Sequence, residues 1–213
     1  MVIAKKKIPF EEMFLIDICR AEKGCEHAQG DVEELREKLK ELLRDINLTA
    51  RLKQKINETI RFHHLLKIAI SGCTNGCAQP QIRDIGIILT GHPAIEKASC
   101  TGCGNCVKAC KEYALEQIED EIPAINYQKC LACGDCILEC PLEAIVHKKR
   151  GFRLMVGGKL GRHPVLAKEW GEFISVNEVI NEIEDLLEAY LNSASGEEKI
   201  ATWLRKEKYC LRK

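Results

Sequence analysis

KIAISGCTNGCAQPQIRDIGIILTG, running from Lys67 to Gly91, decides how this chain folds. Leu65-Leu66-Lys67-Ile68-Ala69-Ile70 reads as a strand entering Ser71-Gly72-Cys73. Ile85-Gly86-Ile87-Ile88-Leu89-Thr90 reads as a second strand, ended by Gly91-His92-Pro93. Between them Cys73 and Cys77 form a C-x3-C pair on a turn. Upstream, Asp31 is placed to cap a helix in which Val32, Leu35, Leu39, Leu42, Leu43 and Ile46 fall at helical spacing. A second helix is expected over about 49–62. Downstream, Gly151–Gly158 resembles a strand entering a tight turn. A long helix is predicted over about 176–191, with Val179, Ile180, Ile183, Leu186, Leu187 and Tyr190 on one face. The tail repeats a helical pattern and ends near Cys210. Strands and helices mixed in this way predict an α+β fold.

The 213 residues are enough for one large domain or two small ones, and 46% hydrophobic content supplies a core. Lys plus Arg equals Asp plus Glu at 32 each, so no global charge draws the chain to nucleic acid or a membrane. The N-terminal apolar stretch is broken by Glu11, Glu12 and Asp17, which is unlike a signal peptide, and no run approaches the length of a bilayer span. A cytoplasmic protein is expected. Thirteen cysteines in a reducing compartment point to metal rather than to disulfides.

Composition changes between about Glu96 and His147, where SCTGCGNCVKACKEYAL and KCLACGDCILECPLEAI repeat with a period of 30 residues. Each copy carries C-x2-C-x2-C-x3-C: Cys100, Cys103, Cys106 and Cys110, then Cys130, Cys133, Cys136 and Cys140. Three ligands on one short loop can wrap one face of a cuboidal cluster. The pattern matches the two-cluster bacterial ferredoxin arrangement, in which the fourth cysteine of each run ligates the other cluster. That match puts Cys100, Cys103, Cys106 and Cys140 on one [4Fe–4S] cluster and Cys130, Cys133, Cys136 and Cys110 on another. Zinc is the alternative, but zinc sites use separated C-x2-C pairs without a third cysteine at the next step. The first copy departs from the pattern by placing Lys111 where Pro141 closes the second.

Four further cysteines precede the repeat: Cys19 and Cys25 as C-x5-C, then Cys73 and Cys77. Buried structural thiols are the plain alternative for them. In this order, with Lys67–Gly91 around the second pair and FRLMVGGKLGRHP (152–164) downstream, they resemble the sirohaem-linked cluster site of the sulfite and nitrite reductase family. The likeness covers roughly 16–168, interrupted by the repeat. It implies a third [4Fe–4S] cluster on Cys19, Cys25, Cys73 and Cys77, with Cys77 also the axial ligand of a sirohaem iron. It further implies a reductase segment over 1–95, an inserted ferredoxin domain over 96–148 and a second reductase segment over 149–213. The resemblance thus implies a small reductase half-domain whose substrate would be a small oxyanion, sulfite or nitrite, fed with electrons by an electron-donor protein through the insertion.

Sirohaem is a polycarboxylate and needs cations or backbone donors. Candidates at family-like positions are Lys67, Arg83, Arg153, Lys159, Arg162 and His163, with Asn75 and Gln79 near the cysteine turn and Gly157 and Gly158 letting the backbone approach the macrocycle. His63 and His64 are read as structural. His147, among Lys148, Lys149 and Arg150, is read as a domain junction or partner surface, and Cys210 as a spare thiol. In the larger reductases the substrate-facing cations come largely from the half without the cluster. No catalytic cation is therefore assigned here, and a homo-oligomer or partner subunit is expected to complete the pocket. An electron-transfer subunit, or a sirohaem-binding redox protein without catalysis of its own, is the alternative function.

Overall fold

The computed structural model describes residues 10–119 and 121–206. In chain order they form β1 (Phe14–Ile18), α1 (Glu33–Asp45), α2 (Leu48–Lys55), β2 (Leu66–Ser71), β3 (Ile85–Ile95), α3 (Asn105–Ala109), β4 (Leu115–Glu116), β5 (Ala124–Ile125), α4 (Asp135–Leu138), β6 (Ile145–Val156), β7 (Lys168–Ile174), α5 (Val176–Ser193) and α6 (Ile200–Lys206). One mixed sheet has the order β1-β2-β3-β6-β7. β1, β2 and β3 run parallel, while β6 and β7 are antiparallel to their neighbours.

Alternation along the strands explains why the helices lie on one face. Ile68 and Ile70, Ile85, Ile87 and Leu89, and Phe152, Leu154 and Val156 all enter one apolar core. Leu35, Leu39, Leu42 and Leu43 of α1, Val179, Ile183, Leu186 and Leu187 of α5, and Trp203 of α6 meet them there. Each such side chain contributes about 1.5–3 kcal/mol on burial. α5 starts where its sequence says it should. Ser175 accepts from the Glu178 N–H at 3.4 Å, and the Glu178 carboxylate accepts from the Ser175 N–H at 2.7 Å, a closed capping box.

Several elements differ from the sequence expectation. α2 ends at Lys55, because β-branched Ile56, Thr59 and Ile60 follow and favour extended backbone. Residues 62–64 form only a 3-10 turn. β3 runs through Gly91-His92-Pro93 to Ile95, with the register shifting between His92 and Pro93. That irregularity is where a proline can sit in a ladder without leaving a donor missing. Residues 145–148, placed by sequence in the insertion, belong to β6, and Ile145, Val146 and His147 pair with β3, so the excursion from the sheet is 96–144. β1 falls on the N-terminal stretch interrupted by acids, and β7 on the charged KEWGEFI. The excursion hangs between the paired ends Ile95 and Ile145 and has a small core of its own. Cys106, Leu115, Cys136 and Ile145 are buried there, with Val107, Ile125 and Ile137 against them.

Candidate metal centres

The parallel pairing of β1 with β2 assembles the first group of cysteines. Ile18 lies beside Ile70 and β2 runs one residue further, to Ser71, so the strand ends bring Cys19 against Gly72, next to Cys73. The Cys19 N–H donates to the Ile70 carbonyl at 3.1 Å. Cys19 then caps a short 3-10 turn over Arg20–Lys23, its sulfur accepting from the N–H of Ala21 at 3.4 Å and of Gly72 at 3.2 Å. Gly72 has to be glycine for the two loops to meet, because a Cβ there would run into the Ala21 Cβ. Burial pushes the Cys73 thiol up; the Asn75 N–H works against this, while neighbouring Cys19, Cys77 and Cys25 push the same way. Cys73 is buried, Cys19 and Cys25 are half-buried and Cys77 is exposed. Four thiols thus converge with one open side, at Cys77.

Two further groups form inside the excursion. One small cavity is lined by Cys100, Cys103, Cys106 and Cys140, and a second by Cys110, Cys130, Cys133 and Cys136. The fourth cysteine of each run has crossed to the other group. The Cys110 and Cys140 sulfurs occupy matching roles, accepting from the Ala114 N–H at 3.3 Å and the Ala144 N–H at 3.2 Å. The Cys130 sulfur accepts from the Ala132 N–H at 3.4 Å. Burial pushes Cys136 up to about 12, and Cys133, Cys130, Cys106 and Cys110 add to the shift. Burial also raises Cys106, Cys130 and Cys133. Crowded neutral thiols with backbone donors aimed at their sulfurs suit a bound iron–sulfur cluster, whose cationic iron takes the place of the protons.

The proposed sirohaem contacts separate into two groups. Gly157 takes a left-handed φ of 79° and donates to the Asp84 carbonyl at 2.8 Å. A Cβ on Gly158 would lie 2.6 Å from the Arg83 carbonyl and 2.7 Å from that of Gln81. In this fold both glycines bring backbone against backbone. They hold the 157–167 turn to the Gln79–Arg83 segment, where the Ala167 N–H also reaches the Gln81 carbonyl at 2.7 Å. Gln81 in turn packs against Gly76 in the cysteine turn. Gln81 thus links the cysteine turn to Gly158 and Ala167, whereas Arg83 and Gly157 flank Asp84, whose carboxylate accepts from the Lys67 N–H at 2.9 Å, and Arg162 and His163 lie on the exposed part of the 157–167 loop. Lys67 lies at the far end of β2 with its ammonium 4.4 Å from the Phe62 ring centroid. Arg153 is paired with Glu169 and Glu172 across β6 and β7, and Arg83 with Asp17 at 3.0 Å. Both guanidinium groups keep a buried Nε without a hydrogen-bond partner, which leaves a donor for an anionic group.

His64 is buried, and its Nδ1 accepts from the Arg61 N–H at 3.0 Å. Its Nε2 therefore carries the proton and faces Glu58 at 3.3 Å and Glu197 at 3.4 Å. Glu58, His63 and His64 come close enough together to suggest a metal ion, but this tautomer denies it the His64 nitrogen. His147 sits in β6 with its Nδ1 against Gly91. Cys210 lies outside the described residues. Sequence reading missed Gln29, which is 4% exposed and joins two of the cysteine groups. Its one sequence signal is position, four residues after Cys25 in the loop before the α1 cap. Among the described residues no helix is long and apolar enough to cross a membrane.

A mixed sheet whose adjacent strand ends present a C-x5-C and a C-x3-C to one another defines an iron–sulfur α+β protein. The chain belongs to the nitrite and sulphite reductase 4Fe-4S domain family, whose sequence profile matches residues 12–206. It is 44% identical over 124 residues to the coenzyme F420-dependent sulfite reductase of Methanocaldococcus jannaschii, covering 58% of this chain and 20% of that protein. It is 44% identical over 50 residues to a subunit of the anaerobic sulfite reductase of Salmonella typhimurium, covering 24% of this chain and 15% of that one. The chain thus spans a fifth or less of these relatives. In fold it is similar to the crystal structure of dissimilatory sulfite reductase I, with a TM-score of 0.62 at 18% identity, covering 90% of this chain and 49% of that one.

Proposed function

We propose that the chain is the cluster-bearing half of a small sirohaem reductase, acting on sulfite or nitrite. In this reading sulfite is taken by six electrons to sulfide, or nitrite to ammonia. Cys19, Cys25, Cys73 and Cys77 would hold one [4Fe–4S] cluster. The inserted segment would be a two-cluster ferredoxin domain, with Cys100, Cys103, Cys106 and Cys140 on one cluster and Cys110, Cys130, Cys133 and Cys136 on the other. The observation that carries the reading is the convergence of the first four thiols with Cys77 alone exposed, the arrangement expected of a cysteine shared with a second cofactor. Bound beside Cys77, sirohaem would supply the iron that takes the oxyanion, and the six electrons would come from a donor protein, relayed through the clusters.

The chain's own residues have defined tasks in this scheme. Backbone N–H groups of Ala21, Gly72 and Asn75 stabilise thiolate sulfur at the first site. The turn anchored by Gly157 and Gly158 would present Lys159, Arg162 and His163 to the anionic side groups of a sirohaem. The Nε donors of Arg83 and Arg153 add to that cation supply, and Asp17, Glu169 and Glu172 orient both guanidinium groups. The test is anaerobic purification from a sirohaem-producing host, followed by absorption spectroscopy and iron and sulfide analysis. A sirohaem band with sulfite-dependent oxidation of reduced viologen is the expected result. Absence of the band refutes the proposal.

A second reading is favoured by the share of its relatives that the chain spans. It would be an electron-transfer subunit that loads all its cofactors yet turns over only with a partner subunit, or with a second copy, completing the pocket. Addition of the partner to loaded but inactive protein separates the two readings. A redox protein without catalysis of its own would bind sirohaem and reduce neither anion under any addition.

A further inference from the structure

The two halves of the cysteine repeat are not equivalent. Gly104 and Gly134 stand thirty residues apart, each in a left-handed conformation at the start of a short helix. Each is packed under the side-chain amide of a glutamine. At Gly104 that glutamine is Gln117, from the excursion itself, which also donates to the Gly102 carbonyl at 2.5 Å. At Gly134 it is Gln29, from the loop that carries Cys25. A Cβ on Gly134 would lie 2.5 Å from Gln29 Oε1 and 2.7 Å from its Cδ.

Gln29 Nε2 donates to the Cys133 carbonyl at 2.8 Å and to the His27 carbonyl at 3.0 Å. Its backbone N–H donates to the Gly72 carbonyl at 2.8 Å, and the Gly72 N–H donates to the Cys19 sulfur at 3.2 Å. Three hydrogen bonds and two residues thus run from a ligand of the first site to the carbonyl of a ligand of the Cys110/Cys130/Cys133/Cys136 site. Exposure follows the same asymmetry. Cys133 is half-buried under this loop, whereas its repeat counterpart Cys103 is exposed. His27 and Asp135, 3.8 Å apart, flank the joint.

We infer that Gln29 is a positioning residue that docks the Cys110/Cys130/Cys133/Cys136 site against the four-cysteine site, making it the inner of the two repeat sites and leaving Cys100/Cys103/Cys106/Cys140 as the outer, donor-facing one. This rests on the proposal that all three groups hold [4Fe–4S] clusters. Gln29 is buried, and its amide is the link that the repeat does not supply from within. Hydrogen bonding and solvent exposure set the potential of such clusters, so removing Gln29 acts on one repeat cluster and not on the other.

The test compares the loaded wild type with Gln29→Leu and Gln117→Leu. Each is reduced anaerobically with dithionite and followed by EPR-monitored redox titration, with hydrogen exchange of the oxidised protein alongside. Gln29→Leu is expected to shift the potential of one repeat cluster, to weaken its magnetic interaction with the four-cysteine cluster, and to speed exchange at the 133–136 amides by about fivefold, the loss of one ordinary hydrogen bond. The 103–106 amides should stay as in the wild type. Gln117→Leu should shift the other repeat cluster and leave that magnetic interaction intact. The inference is overturned if Gln29→Leu leaves potentials and coupling unchanged, or if Gln117→Leu abolishes the coupling instead. Should Gln29→Leu purify without iron, Gln29→Glu keeps the side chain's size and exchanges the donor for a carboxylate. Loss of iron from every site in both variants overturns the inference, because Gln29 would then support the whole fold rather than one contact. A wild type that binds no clusters refutes the functional proposal instead, so the two failures are distinct.

Discussion

Replacing Gly72 by alanine should pry apart the two loops that present the first group of cysteines, and replacing Ala21 by glycine should close them again. The added Cβ would come within 3.0 Å of the Ala21 Cβ, where carbon atoms in contact keep about 3.5–4.0 Å. The neighbour is the stem of a 3-10 turn capped by Cys19, with no flexible side chain to swing away. The loops must therefore separate by roughly 1 Å, stretching the Gly72 N–H to Cys19 sulfur bond of 3.2 Å. Overpacking of this kind costs about 1–3 kcal/mol. With Ala21 shortened to glycine, the nearest side-chain atom to the new Cβ is Ala28 Cβ at 3.5 Å, an ordinary contact. A coupling energy of about 1–3 kcal/mol should then appear in the double-mutant cycle. Anaerobic urea denaturation at constant m-value measures it, with iron per chain determined in parallel. Gly72→Ala alone should lose iron from the first site while the repeat sites keep theirs. Wild-type stability and iron content in Gly72→Ala, or no recovery in the double variant, would refute the packing argument.

Three other outcomes follow from the same geometry. Cys110→Ser should remove iron from the Cys130/Cys133/Cys136 group and spare the site built on Cys100, Cys103 and Cys106; the reverse in iron analysis and EPR contradicts the crossed ligand sets. Trp203→Ala should cost about 3–5 kcal/mol in denaturant, since Trp203 is 1% exposed, packs edge-on to Tyr190 and donates to Ser193 Oγ at 2.8 Å. Glu188 is held below the usual carboxylate range by its hydrogen bond from Arg51. A lowered folded pKa gives stability that is present above the unfolded value and lost as pH falls through the folded one. Glu188→Gln should therefore be less stable than wild type at neutral pH, by at most about 1 kcal/mol for a pair so near solvent, and the gap should close in acid. A gap that persists unchanged at low pH sinks the ion-pair explanation.

Local chemistry wrote part of this protein directly into the chain. C-x2-C-x2-C confines three sulfurs to one loop by covalent reach alone, so the repeat was legible without a fold. The apolar faces of α1 and α5 were equally legible, because helical spacing is satisfied within a few residues. β1 and β7 were not. FLIDI and KEWGEFI carry acids and lysine in place of a clean apolar alternation, and a strand of that kind is stabilised by the partners it pairs with rather than by its own residues. The same holds at the first site. The spacings of Cys19 with Cys25 and Cys73 with Cys77 are local, but their meeting depends on the parallel register that ends β1 beside β2. The crossing of Cys110 and Cys140 between groups agrees with the ferredoxin likeness, yet only the packing of α3 and α4 brings each sulfur to the opposite cavity. Gln29 shows the limit most clearly. Nothing in its own surroundings marks it, because its partner Cys133 lies 104 residues away and the contact exists only once the sheet has brought β3 and β6 together and swung the excursion back onto the cysteine loops. Sequence determined which sulfurs could act together on one loop. Tertiary structure decided which loops met, since long-range register and packing are set by the whole core rather than by any single stretch of it.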